Sequence, residues 1–277
     1  IVDRSNVETL RAVRDELATL SEVVVIDDDD NHPETGFWDA IEDSSRKLDT
    51  VDTHAEDDAI IIYTSGTTGD PKGVRHAHRV LLGNLPMFVT SVCNMEMSPD
   101  DVFWTPSEWA WVATLYDIVF PGLFYGKPIV AYEPDEGFDP ATAFSVIEKY
   151  DVTKYFAPPT ALRMMMQVED VEHTYDVSDI RVVCSGGEAL GQSVVEWAAD
   201  TFDGATVHEG YGQTEANMIA GDCTALTEFK EGKIGPPAPG HEVEIVDPET
   251  AKPTVDRGEV GEIAVRYEGD PVCFKEY

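Results

Sequence analysis

Apolar residues along this chain follow two rhythms that exchange places. Val7, Leu10, Val13 and Leu17 recur at helical spacing behind Asn6, a residue suited to capping, and Val23-Val24-Val25-Ile26 follows as a short buried run. The opening segment therefore predicts a helix leading into a strand. From Asp27 to about Asp58 the chain is polar and rich in acid, and Phe37-Trp38 and Ile41 suffice for one short amphipathic helix on a surface connection. Beyond Ala59, residues 60–63, 128–132, 154–157, 180–184 and 206–208 read as strands. Residues 76–92, 111–125 with a break near Pro121-Gly122, 141–150, 160–168 and 192–201 read as helices. Such alternation predicts an α/β fold, mostly parallel sheet with flanking helices. After Gly235-Pro236-Pro237 the period becomes two, at 242–246 and 261–267, separated by a turn at Asp247-Pro248-Glu249-Thr250. Half-buried antiparallel strands are expected there. The expected organisation is 1–58, a helix-strand unit and acidic connection; 59–219, an α/β subdomain; and 220–277, the start of a β-rich, barrel-like subdomain.

Charge narrows the partners. The chain of 277 residues carries 54 Asp and Glu against 19 Lys and Arg, a net charge of −35. That field repels nucleic acid, whose binding depends on cations neutralising phosphates. Acidity of this order also marks disordered chains, but a hydrophobic fraction of 42% with five Trp calls for packed cores. The combination points to an enzyme of a salt-rich cytoplasm, where screening tolerates self-repulsion. No run approaches the roughly 20 apolar residues of a membrane span, and no signal peptide opens the chain. Cys93, Cys184, Cys223 and Cys273 form no CxxC pair or zinc spacing, so reduced buried thiols are expected. The first residue is Ile1 and the last, Tyr277, follows no polar tail. A fragment of a longer polypeptide is expected.

The densest chemistry lies at Tyr63-Thr64-Ser65-Gly66-Thr67-Thr68-Gly69-Asp70-Pro71-Lys72-Gly73-Val74, directly after a buried strand. Its hydroxyls, glycines and lysine describe an anion cradle: glycines admit backbone N–H groups to oxygens, hydroxyls donate, and Lys72 supplies a point charge. A Walker loop would need Gly-Lys-Ser/Thr, and here Pro71 precedes the lysine and Gly73 follows it. The loop resembles the phosphate loop of the adenylate-forming superfamily, which includes acyl-CoA synthetases, aryl-CoA ligases, luciferases and peptide-synthetase adenylation domains. Further segments resemble that family in the same order, over nearly the whole chain: Tyr155 to Thr160, Ser185-Gly186-Gly187-Glu188-Ala189-Leu190, Gly210-Tyr211-Gly212-Gln213-Thr214-Glu215, Gly235 to Gly240 and Gly258 to Ile263.

The resemblance implies part of the large N-terminal domain of such an enzyme, with ATP, Mg2+ and coenzyme A as its small molecules and a carboxylic acid as substrate. By that likeness Thr64, Ser65, Gly66, Thr67, Thr68, Gly69 and Lys72 hold phosphates, and Gly187, Glu188 and Ala189 line adenine. Tyr211 stacks on the base, while Gly210, Gly212 and Gln213 complete its site. Thr214 suits donation to an α-phosphate as charge develops there, and Glu215 is a hard carboxylate suited to Mg2+. Thr214, Glu215 and Lys72 are the catalytic candidates. Without these neighbours Glu215 would pass for one surface carboxylate among many, and Tyr211 for a core aromatic.

Asp101 to Val112 resembles a segment of acetyl- and medium-chain acyl-CoA synthetases that ends Asp-x-Gly-Trp, with Glu108 replacing the Asp and Ala110 the Gly. Trp111, Val112 and Gly212 are the acid-binding candidates. Acetate-specific relatives carry a Trp where this chain has Gly212, so a medium-chain or branched acid is expected. The family's ribose-binding Asp, hinge and small C-terminal domain with its adenylation Lys are expected beyond Tyr277, so this chain alone is expected to have little ligase activity. The full-length protein is read as an AMP-forming acyl-CoA synthetase. The alternatives are an aryl-CoA ligase and a non-catalytic nucleotide-binding fragment.

Overall fold

The computed structural model describes residues 1–26, 33–42, 44–65, 69–134, 137–254 and 258–277. Contacts divide the chain into two compact units, Ile1–Thr53 and His54–Tyr277. In the first, strands β1 (Val2–Asp3), β2 (Val24–Ile26) and β3 (Thr35–Gly36) pair in parallel in that order. Helix α1 (Val7–Val13) joins β1 to β2, and α2 (Phe37–Glu42) follows β3. Val7, Val23 and Val25 form a small core with Leu10 and Leu20, whereas Val13 and Leu17, read on the same helical period, are exposed and the helix ends at Val13. The Arg11 guanidinium fixes the far edge by donating to Glu34 at 2.9 and 2.6 Å.

The second unit opens with a hairpin of β4 (Asp58–Thr64) and β5 (Lys72–Ala77), antiparallel and separate from the main sheet. The expected helix beginning at 76 is corrected here. Val74, His76 and Ala77 are buried within β5, and helix α3 begins only at Arg79, running to Met87 and continuing into a π-helical turn, Phe88–Val92. The chain from 111 to 125 also differs from expectation. A π-helical turn, Thr114–Val119, leads without a break into α4 (Phe120–Phe124), so Pro121 lies inside one continuous helical run.

The main sheet has strand order β10-β9-β8-β7-β6, formed by β6 (Phe103–Trp104), β7 (Lys154–Phe156), β8 (Val182–Gly186), β9 (Thr206–Gln213) and β10 (Asn217–Gly221). Strands β6 to β9 are parallel, and β10 turns back antiparallel to β9, a strand not anticipated from its mixed pattern. The expected strand at 128–132 reduces to a single bridge between Ile129 and Phe103. Between the strands come α5 (Pro140–Lys149), α6 (Pro159–Met165), α7 (Val171–Thr174) and α8 (Gln192–Thr201). Because strand side chains alternate, Trp104, Tyr155 and Val183 meet Phe144, Leu162 and Phe202 on one face. Phe103, Phe156 and Cys184 meet Met87, Phe88 and Ile118 on the other. Both faces are covered, and all four cysteines are buried. Strands β11 (Val243–Val246) and β12 (Glu262–Val265) then pair antiparallel.

One polar tie anchors the amino ends of the parallel strands. The fully buried Asp101 carboxylate accepts from the Thr153 hydroxyl at 2.9 Å, the Arg181 guanidinium at 2.7 Å and the Ser98 amide at 2.7 Å. Replacing Asp101 with Ala removes the acceptor of three donors, of which the Thr153 hydroxyl keeps the Val102 carbonyl at 3.2 Å. With Arg181 partly solvated, the expected loss is about 2 kcal/mol of unfolding free energy in urea titration, read as a lower midpoint at unchanged slope.

Candidate active site

The carboxyl ends of the parallel strands open onto one cavity of about 370 Å³. Phe156 ends β7, Gly186 ends β8 and Gln213 ends β9, and all three line it. Tyr63 and Thr64 at the end of β4, with Ser65, form another wall; Trp111, Val112, Ala113, Thr114 and Asp117 form a third. Ligands of open α/β sheets bind at this end because the loops there diverge and leave backbone groups free.

Of the residues singled out from sequence, Thr64, Ser65, Trp111, Val112, Gly187, Gly210, Gly212, Gln213 and Thr214 share this cavity. Gly66, Thr67 and Thr68 lie outside the described residues. Strand alternation separates the rest of the second motif: Gly210 and Gly212 line the cavity, while Tyr211 packs against Ala216, Ile219 and Cys273. Glu188 accepts from the Thr160 hydroxyl at 2.9 Å and from Arg163 at 3.1 Å, and these partners hold its carboxyl below the usual range. Arg163 also donates to the Ala189 carbonyl at 2.8 Å. Gly69 and the exposed Lys72 stand on the hairpin connection, with Lys72 opposite Thr64 in register. The Lys72 ammonium lies 4.9 Å from the centre of the Tyr277 ring, and the Tyr277 hydroxyl donates to Glu215 Oε1 at 2.8 Å, so Lys72 and Glu215 both meet this side chain.

The β9–β10 turn is fixed from behind. Phe274 donates its amide to the Glu215 carbonyl at 2.7 Å, and strand β5 exchanges backbone hydrogen bonds with Lys275 and Glu276. Arg79 donates to the carbonyls of Pro271 and Cys273 at 2.8 and 2.9 Å. Beneath the turn, burial holds the His76 imidazole below its ordinary value, favouring the neutral ring.

Sequence reasoning missed the inner wall. Asp117 is fully buried, and its Oδ1 accepts from Asn217 Nδ2 at 2.8 Å and Asn84 Nδ2 at 3.1 Å. Asn84 Nδ2 also donates to the Tyr116 carbonyl at 2.5 Å, which fixes its orientation. Burial pushes the Asp117 carboxyl up to about 7, against the two amide donors. The available signal was plain: Asp117 is the single charged residue between Val112 and Tyr125.

The chain belongs to the AMP-binding enzyme family, which matches over residues 1–277. It is 33% identical over 240 residues to YtcI, an uncharacterized acyl-CoA ligase of Bacillus subtilis, covering 86% of this chain and 43% of that protein. It is 33% identical over 258 residues to 4-coumarate-CoA ligase 1 of Narcissus pseudonarcissus, covering 90% of this chain and 46% of that one. The chain thus spans less than half the length of these relatives. Among solved structures, ATP-bound MatB from Rhodopseudomonas palustris superposes with a TM-score of 0.78 at 26% identity, over 99% of this chain and 50% of that one.

Two outcomes follow from the geometry. A Cβ at Gly212 would stand 1.8 Å from the Asn217 carbonyl oxygen, whereas one at Gly210 first meets the Met218 sulfur, which can swing aside. Gly212→Ala is expected to cost about 3 kcal/mol in denaturant titration and Gly210→Ala about 1 kcal/mol or less. Asp117 titrates near 7 when folded and near its ordinary 3.8 when unfolded. Its folded state therefore holds the extra proton between those values, and its contribution to stability is lost as pH rises through that window. Asp117→Asn is expected to remove this downward slope, measured as the difference between the two proteins' melting temperatures from pH 4 to 7.

Proposed function

We propose that the whole protein is an AMP-forming acyl-CoA synthetase, with residues 1–277 supplying the phosphate, adenine and acid sites and turning over little alone. The observation that carries this reading is the meeting of the hydroxyls of Thr64, Ser65 and Thr214, the backbone at Gly186-Gly187 and the apolar wall of Trp111 and Val112 on one cavity. A carboxylate oxygen forms a bond to the α-phosphorus as the bond to pyrophosphate breaks. The Thr214 hydroxyl and the amides around Gly210 and Gly212 oppose the charge that develops. The resulting mixed anhydride makes AMP the leaving group. Thiol attack at the acyl carbon forms the thioester, releases AMP and gives the thiol proton to solvent.

Lys72 and Glu215 both meet Tyr277, the ammonium over its ring and the carboxylate at its hydroxyl. Glu215 is the residue that would hold Mg2+, which neutralises phosphate charge when bound. Magnesium held by one carboxylate and phosphate oxygens needs no protein cage, and no cluster of three or more His, Cys, Asp or Glu suited to a metal exists among the described residues. Gly187 supplies backbone for the adenine, with Glu188 and Ala189 braced by Arg163 just outside the cavity. A medium-chain or branched acid is favoured over acetate because no indole stands at Gly212. Trp111 and Phe156, which line the same cavity, favour an aryl acid as a second reading. The net charge of −35 supports work in a salt-rich cytoplasm, and no helix among the described residues is long and apolar enough to cross a membrane.

Acid-dependent exchange of pyrophosphate into ATP by the whole protein tests the reading. Exchange is expected with hexanoate above acetate, to persist in molar KCl and weaken in dilute buffer. Thr214→Val and Glu215→Gln are each expected to reduce it about a hundredfold, the scale of losing one transition-state contact. Absence of exchange with every acid would overturn the ligase.

A further inference from the structure

The cavity is not apolar throughout. Its outer members, Ser65, Trp111, Gly187 and Gln213, are exposed, whereas Thr114, Asp117 and Asn217 are almost wholly buried, so these three mark its inner end. Met218, also buried, stands beside them, and Phe156 and Pro158 line the walls. An acid whose carboxylate lies toward Thr64 and Thr214 therefore sends the far end of its carbon skeleton toward a carboxyl, an amide and a hydroxyl.

The hydrogen bonds at that inner end are incomplete in one sense only. Asp117 Oδ1 takes both available amide donors, from Asn84 and Asn217. Asp117 Oδ2, Asn217 Oδ1 and Thr114 Oγ1 have no partner among the described residues. The ionised Asp117 Oδ2 and Asn217 Oδ1 accept, while the Thr114 hydroxyl accepts and also donates one proton. Acceptors outnumber donors there, because the Asn217 amide nitrogen is already spent on Asp117. Three unsatisfied acceptors at a cavity wall would be costly against an aliphatic chain and are satisfied by a ligand that brings N–H or O–H. The Asp101 carboxylate, by contrast, meets three donors from the chain itself.

We propose that Asp117, with Asn217 and Thr114, selects a carboxylic acid that carries a hydrogen-bond donor, a hydroxyl or an amino group, at the end remote from its carboxylate. This rests on the ligase reading and names the acid that reading leaves open. A site built to bond such a group rejects the analogue lacking it far more strongly than it would reject a missing methylene, since its own buried atoms are then left unpaired. Asp117→Asn is the incisive variant. The two amide donors keep an oxygen in the Oδ1 place and put the new NH2 in the Oδ2 place, so an acceptor becomes a donor at nearly constant volume.

The test compares hexanoate with its ω-hydroxy and ω-amino derivatives on the whole protein, by pyrophosphate exchange and, in parallel, by calorimetric binding. At least one derivative is expected to exceed hexanoate in kcat/KM by about tenfold or more. Asp117→Asn is expected to bring that ratio near one, the ω-amino acid losing most, and Thr114→Val to lower it in the same direction. A preference carried by the amino derivative identifies an ammonium partner for the carboxylate; one carried by the hydroxyl derivative identifies a neutral donor. Hexanoate equal to or better than both derivatives, or a ratio unmoved in a folded Asp117→Asn protein, overturns the assignment. Loss of exchange with all acids strikes the ligase reading instead, and the ranking of the three acids by binding still decides the role of Asp117.

Discussion

The site depends on how closely backbones approach one another at the carboxyl end of the main sheet. A Cβ on Gly186 would come within 2.8 Å of the Gly210 carbonyl oxygen, and one on Gly212 would run into Asn217. Side chains are absent from these positions because there is no room for them between neighbouring strands. The same absence leaves main-chain groups uncovered toward the cavity. Tight strand packing and an accessible backbone are thus one constraint, met by glycine alone. The hydrophobic helices on both faces of the sheet hold the strands at that spacing.

Much of this was legible. The period-two and helical rhythms located most strands and helices because burial on two sheet faces demands long apolar runs and amphipathic covers. The segments 64–65 and 210–214 stood out by their density of glycine and hydroxyls, and the structure brings Thr64, Ser65, Gly210, Gly212, Gln213 and Thr214 to one cavity. What failed to show were features set by tertiary contact. Lys72–Ala77 reads as polar because β5 is a hairpin strand whose exposed positions carry Lys72 and Arg75, and only its pairing with β4 and with 275–276 makes it a strand. Tyr211 is separated from its neighbours by strand alternation, which a motif written in one line conceals. Asp117 and Asn217 are 100 residues apart, and their hydrogen bond exists only because β10 packs beside the π-helical turn that carries Asp117.

That buried cluster also shows how the fold divides its polar interior. Asp101 lies at the amino end of the strands and saturates its oxygens with donors from three segments, which makes it a fastener. Asp117 lies at the opposite end with one oxygen served and one free. Two carboxyls, both without solvent contact, are distinguished by how many donors the chain has placed around them. The first arrangement binds the chain to itself, and the second leaves one oxygen with no partner among the described residues.

The four buried cysteines have a bearing on chemical selectivity. An acyl-adenylate is an electrophile that any nearby thiolate would capture, ending in a protein thioester. Here burial pushes the thiols of Cys93 and Cys273 up to about 12, and it raises those of Cys184 and Cys223 as well. Cys184 faces the same core as Met218, whose side chain borders the cavity, yet remains a neutral, enclosed S–H. In the proposed reaction the four thiols of residues 1–277 are thus poor competitors for the activated acyl group.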